Sequence, residues 1–156
     1  MKEEIQKIIK GEVQDSDEIL SKYSHDASIF EIRPKFVIFP KGSEDVQNLV
    51  KWVNENKEKH PELSITARCA GTCMSGGAIG ESIVLDFTKY MNKMISFDEN
   101  FITVQPGMFY RDFEKITLER GLILPCYTAS KGLNAMGGMF GNNSAGEKTL
   151  KYGKTE

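Results

Sequence analysis

The chain has 156 residues, 40% of them apolar and 27% charged, with a net charge of −2. That length suits about one domain with a real core, and the charge balance offers no basic face for nucleic acid. The three cysteines, Cys69, Cys73 and Cys126, form no C-x-x-C pair and no Cys/His cluster with zinc spacing, so neither a disulfide scaffold nor a metal site is expected. Residues 2–10 read as a short helix with Ile5, Ile8 and Ile9 on one face, ended by Gly11. Asp15 or Ser16 caps a second short helix through about Lys22, carrying Ile19, Leu20 and Tyr23. Residues 24–34 are irregular. Phe36-Val37-Ile38-Phe39 is a continuous apolar run, as in a strand buried on both faces, and Pro40 closes it.

Ser43 then caps an amphipathic helix, with Val46, Leu49, Val50 and Val53 at helical spacing. Residues 63–67 are the next extended piece. Strand, helix and strand then form a βαβ unit with a parallel pair. Residues 83–87 read as a further strand. The runs 93–97 and 101–105 flank Asp98-Glu99-Asn100 and read as an antiparallel hairpin. From Tyr110 to about Arg120 runs a second amphipathic helix, which Gly121 ends. Residues 125–153 change character: 125–130 are turn-rich, 136–146 are small and polar with no helix or strand period, and a second ligand-facing wall is expected there. The class is α+β: a small parallel α/β layer followed by antiparallel strands.

One stretch organises the rest. Arg68, Cys69, Ala70, Gly71, Thr72, Cys73, Met74, Ser75, Gly76, Gly77 and Ala78 join two strands through small residues. Such a loop leaves backbone N–H groups uncovered, and an anion can approach them closely. It reads either as a diphosphate cradle or as a tight connection that needs glycine for its turns. The common nucleotide loops do not fit. The dinucleotide pattern G-x-G-x-x-G fails at Cys73. The P-loop pattern fails because Gly77 and Ala78 stand where Lys and Ser/Thr belong, and near Gly146 because Glu147 precedes Lys148.

Five motifs in order carry a resemblance. They are Arg68-x-x-Gly71-Thr72-x-x-x-Gly76-Gly77-Ala78, Tyr127-Thr128-Ala129-Ser130, Ala135-Met136-Gly137-Gly138, Asn142-Asn143-Ser144-Ala145-Gly146 and Lys151-Tyr152-Gly153-Lys154-Thr155. Together they resemble the flavin-binding domain of the vanillyl-alcohol oxidase/para-cresol methylhydroxylase (PCMH) family, in its glycolate oxidase and D-lactate dehydrogenase branch. The resemblance runs from about Pro34 to the last residue. It implies a PCMH-type FAD-binding domain at 34–156 behind an N-terminal helical extension at 1–33. The first loop, with Cys69, Ala70 and Cys73 among its residues, would cradle the FAD diphosphate, helped by the Thr72 and Ser75 hydroxyls. Thr128, Ala129, Ser130, Met136, Gly137 and Gly138 would pass along the ribityl chain and flavin. Asn142, Asn143, Ser144, Ala145 and Gly146 would pack against the isoalloxazine.

The implied function is the FAD-binding portion of an oxidoreductase acting on a small 2-hydroxy acid such as D-lactate or glycolate. The alternative is a flavin-binding or subunit-interaction module without turnover. Some relatives tether flavin to a histidine in the first loop. Thr72 stands there here, and His25 and His60 lie outside the motifs, so non-covalent FAD is expected. In the family, further strands follow the last motif, so the domain is expected to be incomplete at Glu156, with no catalytic residue carried over. The N-terminus lacks an apolar signal core, and no stretch nears the ~20 apolar residues of a membrane span. A cytoplasmic protein with no transmembrane segment is expected, with self-association or an electron-acceptor subunit as its partner.

Overall fold

The computed structural model describes residues 1–99 and 101–155. The third residue of the expected hairpin turn, Asn100, lies outside them. In chain order the elements are α1 (Lys2–Ile8), β1 (Glu12–Gln14), α2 (Asp17–Tyr23), β2 (Phe36–Phe39), α3 (Ser43–Asn56), β3 (Ile65–Arg68), β4 (Ile83–Asp86), β5 (Met94–Phe97), β6 (Ile102–Val104), α4 (Tyr110–Leu118), α5 (Met136–Gly141) and α6 (Thr149–Tyr152).

Four strands make the main sheet, in the order β1-β2-β4-β3. β4 is buried along its whole length, and it pairs in parallel with β2 on one side and β3 on the other. The expected β2–β3 pair is thus split by a later strand. Period-2 alternation sorts the side chains. Ile38, Ile83 and Leu85 face α1 and α3, where they meet Ile5, Ile9, Leu49 and Leu63. Val37, Phe39 and Val84 face the other way, onto Tyr23 of α2. Each fully buried aliphatic contributes roughly 1.5–3 kcal/mol.

β1 is a strand that the sequence reading missed. It pairs antiparallel with β2, Val13 opposite Ile38. Its only buried residue is Val13, so three residues carry too short an alternation to read. α1 ends at Ile8, where Ile9 turns extended, and Gly11 serves a different purpose from the expected one. A Cβ on Gly11 would strike the Phe39 carbonyl oxygen, so glycine there lets β1 approach β2. The buried Asp45 carboxylate locks the same corner, accepting the N–H groups of Lys10 and Lys41 at 2.8 Å each. Gly42, not Ser43, holds the N-cap position of α3, and Ser43 is its first helical residue.

A second core lies C-terminal to the sheet. The antiparallel β5–β6 hairpin, α4 and α5 bury Met108, Tyr110, Phe113 and Met139 together. The stretch 136–146, expected to lack a helix or strand period, therefore contains a short helix, α5. α5 forms despite its glycines because its start is anchored: Met136 N–H donates to Met108 O at 2.9 Å and Gly137 N–H to Pro106 O at 2.8 Å. Met139, 1% exposed, then pins the helix to the core.

Candidate functional site

β3 and β4 run in parallel, with Arg68 opposite Asp86 at their C-terminal ends. Ligand sites in open α/β sheets form at such strand ends. The glycine loop leaves from Arg68. Gly71 (φ 68°) and Gly76 (φ 80°) take left-handed conformations that favour glycine. Among the described residues, none accepts a hydrogen bond from the N–H groups of Ala70, Gly71, Thr72, Cys73 or Met74. A run of free donors around a left-handed glycine is the backbone arrangement of an anion nest.

Arg68 stands behind this loop rather than in the cleft. Its guanidinium donates to the carbonyls of His25 (2.8 Å) and Ala78 (3.2 Å) and lies 5.0 Å from the Tyr23 ring centroid. Tyr23 in turn donates to the buried Asp86 carboxylate at 2.8 Å. Burial, then the Asp86 charge, raise the Tyr23 hydroxyl well above its usual range. Cys69 joins the loop to the second core: its thiol donates to Pro106 O at 3.3 Å. Burial, with the Asp86 charge second, pushes that thiol up to about 11, so it is inert near neutral pH. Cys73 goes the other way. Hydrogen bonds from the Ser75 hydroxyl and backbone N–H lower it.

Opposite the loop stands α5. The two enclose a cleft of about 500 Å³, inside the ~300–1,000 Å³ span of small-molecule sites. Of the residues singled out from sequence, Cys69, Ala70, Gly71, Thr72, Cys73, Gly77, Ala78, Gly137, Gly138 and Asn142 line it. A Cβ on Gly137 would lie 2.7 Å from Pro106 Cβ and 2.9 Å from its carbonyl oxygen, so this wall needs glycine.

The remaining expected residues lie off the cleft lining. Ser75 is exposed, 3.2 Å from Cys73 Sγ. Gly76 faces Phe30. Met136 packs against the second core. Thr128 and Ser130 share a hydroxyl contact of 3.0 Å, with Asn134 donating to Thr128 at 2.7 Å, while Ala129 is exposed. Asn143 is left-handed (φ 45°), Ser144 O accepts from Thr155, Ala145 is exposed, and Gly146 abuts the Tyr127 carbonyl. Sequence reasoning missed Thr66, Phe87 and Pro106, which also line the cleft. Their signal was positional: Thr66 sits in β3, Phe87 at the end of β4 and Pro106 just past β6.

Unpaired donors, a cleft of this size and a glycine wall fit a ligand that carries a diphosphate. Known proteins agree with that chemistry. The FAD binding domain family profile matches residues 34–156. The chain is 31% identical over 150 residues to D-2-hydroxyglutarate dehydrogenase of Stutzerimonas stutzeri, covering 93% of this chain and 31% of that protein. It is 32% identical over 161 residues to D-lactate dehydrogenase of Anaerostipes hadrus, covering 99% and 32%. It thus spans about a third of the length of these relatives. The structure superposes on 6-hydroxy-D-nicotine oxidase from Arthrobacter nicotinovorans with a TM-score of 0.76 and 24% identity, covering 94% of this chain and 31% of that one. The fold is the expected α+β, PCMH-type architecture. Across residues 34–156, the chain belongs to the FAD binding domain family.

Proposed function

We propose that this chain is the FAD-holding part of a flavin-dependent dehydrogenase for small 2-hydroxy acids, the class of D-lactate, glycolate and D-2-hydroxyglutarate. The observation that carries the reading is the run of unpaired N–H groups from Ala70 to Met74, set across a cleft from α5. Those donors and the Thr72 hydroxyl hold the diphosphate. Gly137, Gly138 and Asn142 give the flavin portion a wall without bulky side chains. Cys69 fixes the spacing of the two walls through Pro106. When bound, FAD supplies the hydride acceptor for oxidation at the substrate α-carbon. The chain's own part is to bind, orient and enclose it.

Residues 34–156 are the cofactor-binding unit, and residues 1–33 are an extension that adds β1 to its sheet. The cofactor is held without a covalent bond, since Thr72 stands at the tether position and, among the described residues, no histidine lines the cleft. Among the described residues, no helix is long and apolar enough to cross a membrane, and we place the protein in the cytoplasm. The test is a titration with FAD followed by flavin fluorescence, then acid precipitation, then turnover of the three acids with an artificial electron acceptor. Saturable uptake with yellow colour released into the acid supernatant supports the reading. Absence of uptake, or colour kept in the pellet, refutes the cofactor or the non-covalent claim respectively. Oxidation of a different class of substrate with none of the three acids oxidised refutes the substrate class.

A further inference from the structure

The glycine loop is not held by its own domain alone. Residues 24–30 precede the stretch that matches the FAD binding family, yet they form the back of the loop at every turn. Ala27 N–H donates to Gly71 O at 3.0 Å. His25 O receives the Arg68 guanidinium at 2.8 Å. The Phe30 ring stands 3.1 Å from where a Cβ on Gly76 would lie. Asp26 is the centre of this contact. One carboxylate oxygen accepts Ser28 N–H at 2.8 Å, closing a turn within the segment. The other accepts Ala78 N–H at 3.3 Å, at the far end of the loop.

A carboxylate so close to a diphosphate cradle is unfavourable by Coulomb's law alone. Its presence needs a compensating role, and the contacts supply one. Gly71 and Gly76, with no side chains to hold them, leave the loop many conformations. Pinning it at Gly71, Gly76 and Ala78 leaves the donors of Ala70 to Met74 free and in place before any ligand arrives. Ordering the loop in advance removes that cost from binding.

We infer that Asp26 is a positioning residue for FAD, and that residues 24–30 are a brace holding the glycine loop ready for the diphosphate. This rests on the FAD reading of the cleft. It differs in sign from a purely electrostatic account. Asp26→Asn removes a negative charge, which by repulsion alone strengthens FAD binding. Asparagine still offers one oxygen to Ser28 but turns an NH₂ group toward Ala78 N–H, so loss of the brace weakens binding instead.

The experiment compares the wild-type chain, Asp26→Asn and Asp26→Ala. Amide hydrogen exchange is read without ligand, and FAD affinity by flavin fluorescence. Both variants are expected to bind FAD about tenfold more weakly, the loss of one charge-assisted hydrogen bond. Exchange at residues 69–78 should rise while β2 and β4 keep their protection, which also certifies that the variants are folded. FAD binding that is unchanged or tighter in Asp26→Asn, with unchanged exchange in the loop, overturns the inference. Faster loop exchange in the variants of a chain that takes up no FAD refutes the FAD reading and the ligand half of the inference together, while upholding the brace.

Discussion

Gly137 and Gly138 are neighbours on the first turn of α5, and alanine at each should act with opposite sign. A Cβ at Gly137 would meet Pro106 Cβ at 2.7 Å, Pro106 O at 2.9 Å and Cys69 Sγ at 3.1 Å. Carbon atoms pack comfortably at about 3.5–4.0 Å. Two of those three atoms belong to a proline ring and a backbone carbonyl, which cannot swing aside. Overpacking of this kind costs about 1–3 kcal/mol. Against it stands the ordinary gain of alanine over glycine in a helix, about 0.5–1 kcal/mol. The clash wins, and Gly137→Ala should lose about 1–2 kcal/mol. At Gly138 a Cβ would meet Cys69 Cβ at 4.0 Å, an ordinary contact. There the helix gain stands alone, and stability should rise by about 0.5–1 kcal/mol. Urea unfolding separates the two. With a slope of about 2 kcal/mol/M, the Gly137→Ala midpoint falls by about 0.5–1 M and the Gly138→Ala midpoint holds or rises. Equal shifts, or a Gly137→Ala chain as stable as wild type, would refute the close approach of α5 to the loop.

Further outcomes follow from other sites. Gly77→Asp should leave the chain folded but abolish FAD uptake, since its Cβ meets only Cys73 Sγ at 3.2 Å while the carboxylate repels a diphosphate; normal flavin fluorescence titration of the folded variant would exclude the loop as the cradle. Iodoacetamide at mildly alkaline pH should modify Cys73 ahead of Cys69 and the buried Cys126, because Cys73 is lowered and Cys69 raised; peptide mass mapping that finds Cys69 labelled first would contradict this. Glu12 is held down to about 2 by hydrogen bonds from Lys89 (2.7 and 2.8 Å) and Tyr90. Its folded value lies below its unfolded one of 4.5, so its stabilisation is complete above that pH and is lost as pH falls toward 2. Glu12→Gln should therefore flatten the acid limb of the stability curve over that window, as read by thermal unfolding at stepped pH.

The sequence was readable wherever one element carries its own period. β2 matches its apolar run residue for residue, and α3, β4, the hairpin and α4 fall within a few residues of expectation. What stayed hidden depends on partners distant in the chain. Strand order is one case, because nothing local tells Ile83 that it pairs with both Phe36 and Ile65. α5 is another: Met-Gly-Gly-Met-Phe-Gly has poor helix propensity, and its anchors are carbonyls of residues 106 and 108. The site divides the same way. Both walls of the cleft could be found from small-residue motifs. The direction of Arg68 could not, since it is set by the His25 carbonyl and the Tyr23 ring. Asp26 gave no signal at all, being one of the chain's 22 acids and lying in an irregular stretch.

The central place of β4 has a consequence for synthesis. As the chain emerges from the ribosome, β1 and β2 can pair as soon as β2 is made, with α2 and the irregular stretch 24–35 between them. β3 then emerges without its neighbour, because its partner in the sheet, β4, has not been made. β2 meanwhile exposes a bare, apolar edge on the side where β4 belongs. Until residues 83–86 appear, the nascent chain holds two strand edges with nothing to bond to, the condition in which chains pair with one another instead. The glycine loop between β3 and β4 is also the tether that brings β4 home. Its length and suppleness set how long that exposed interval lasts.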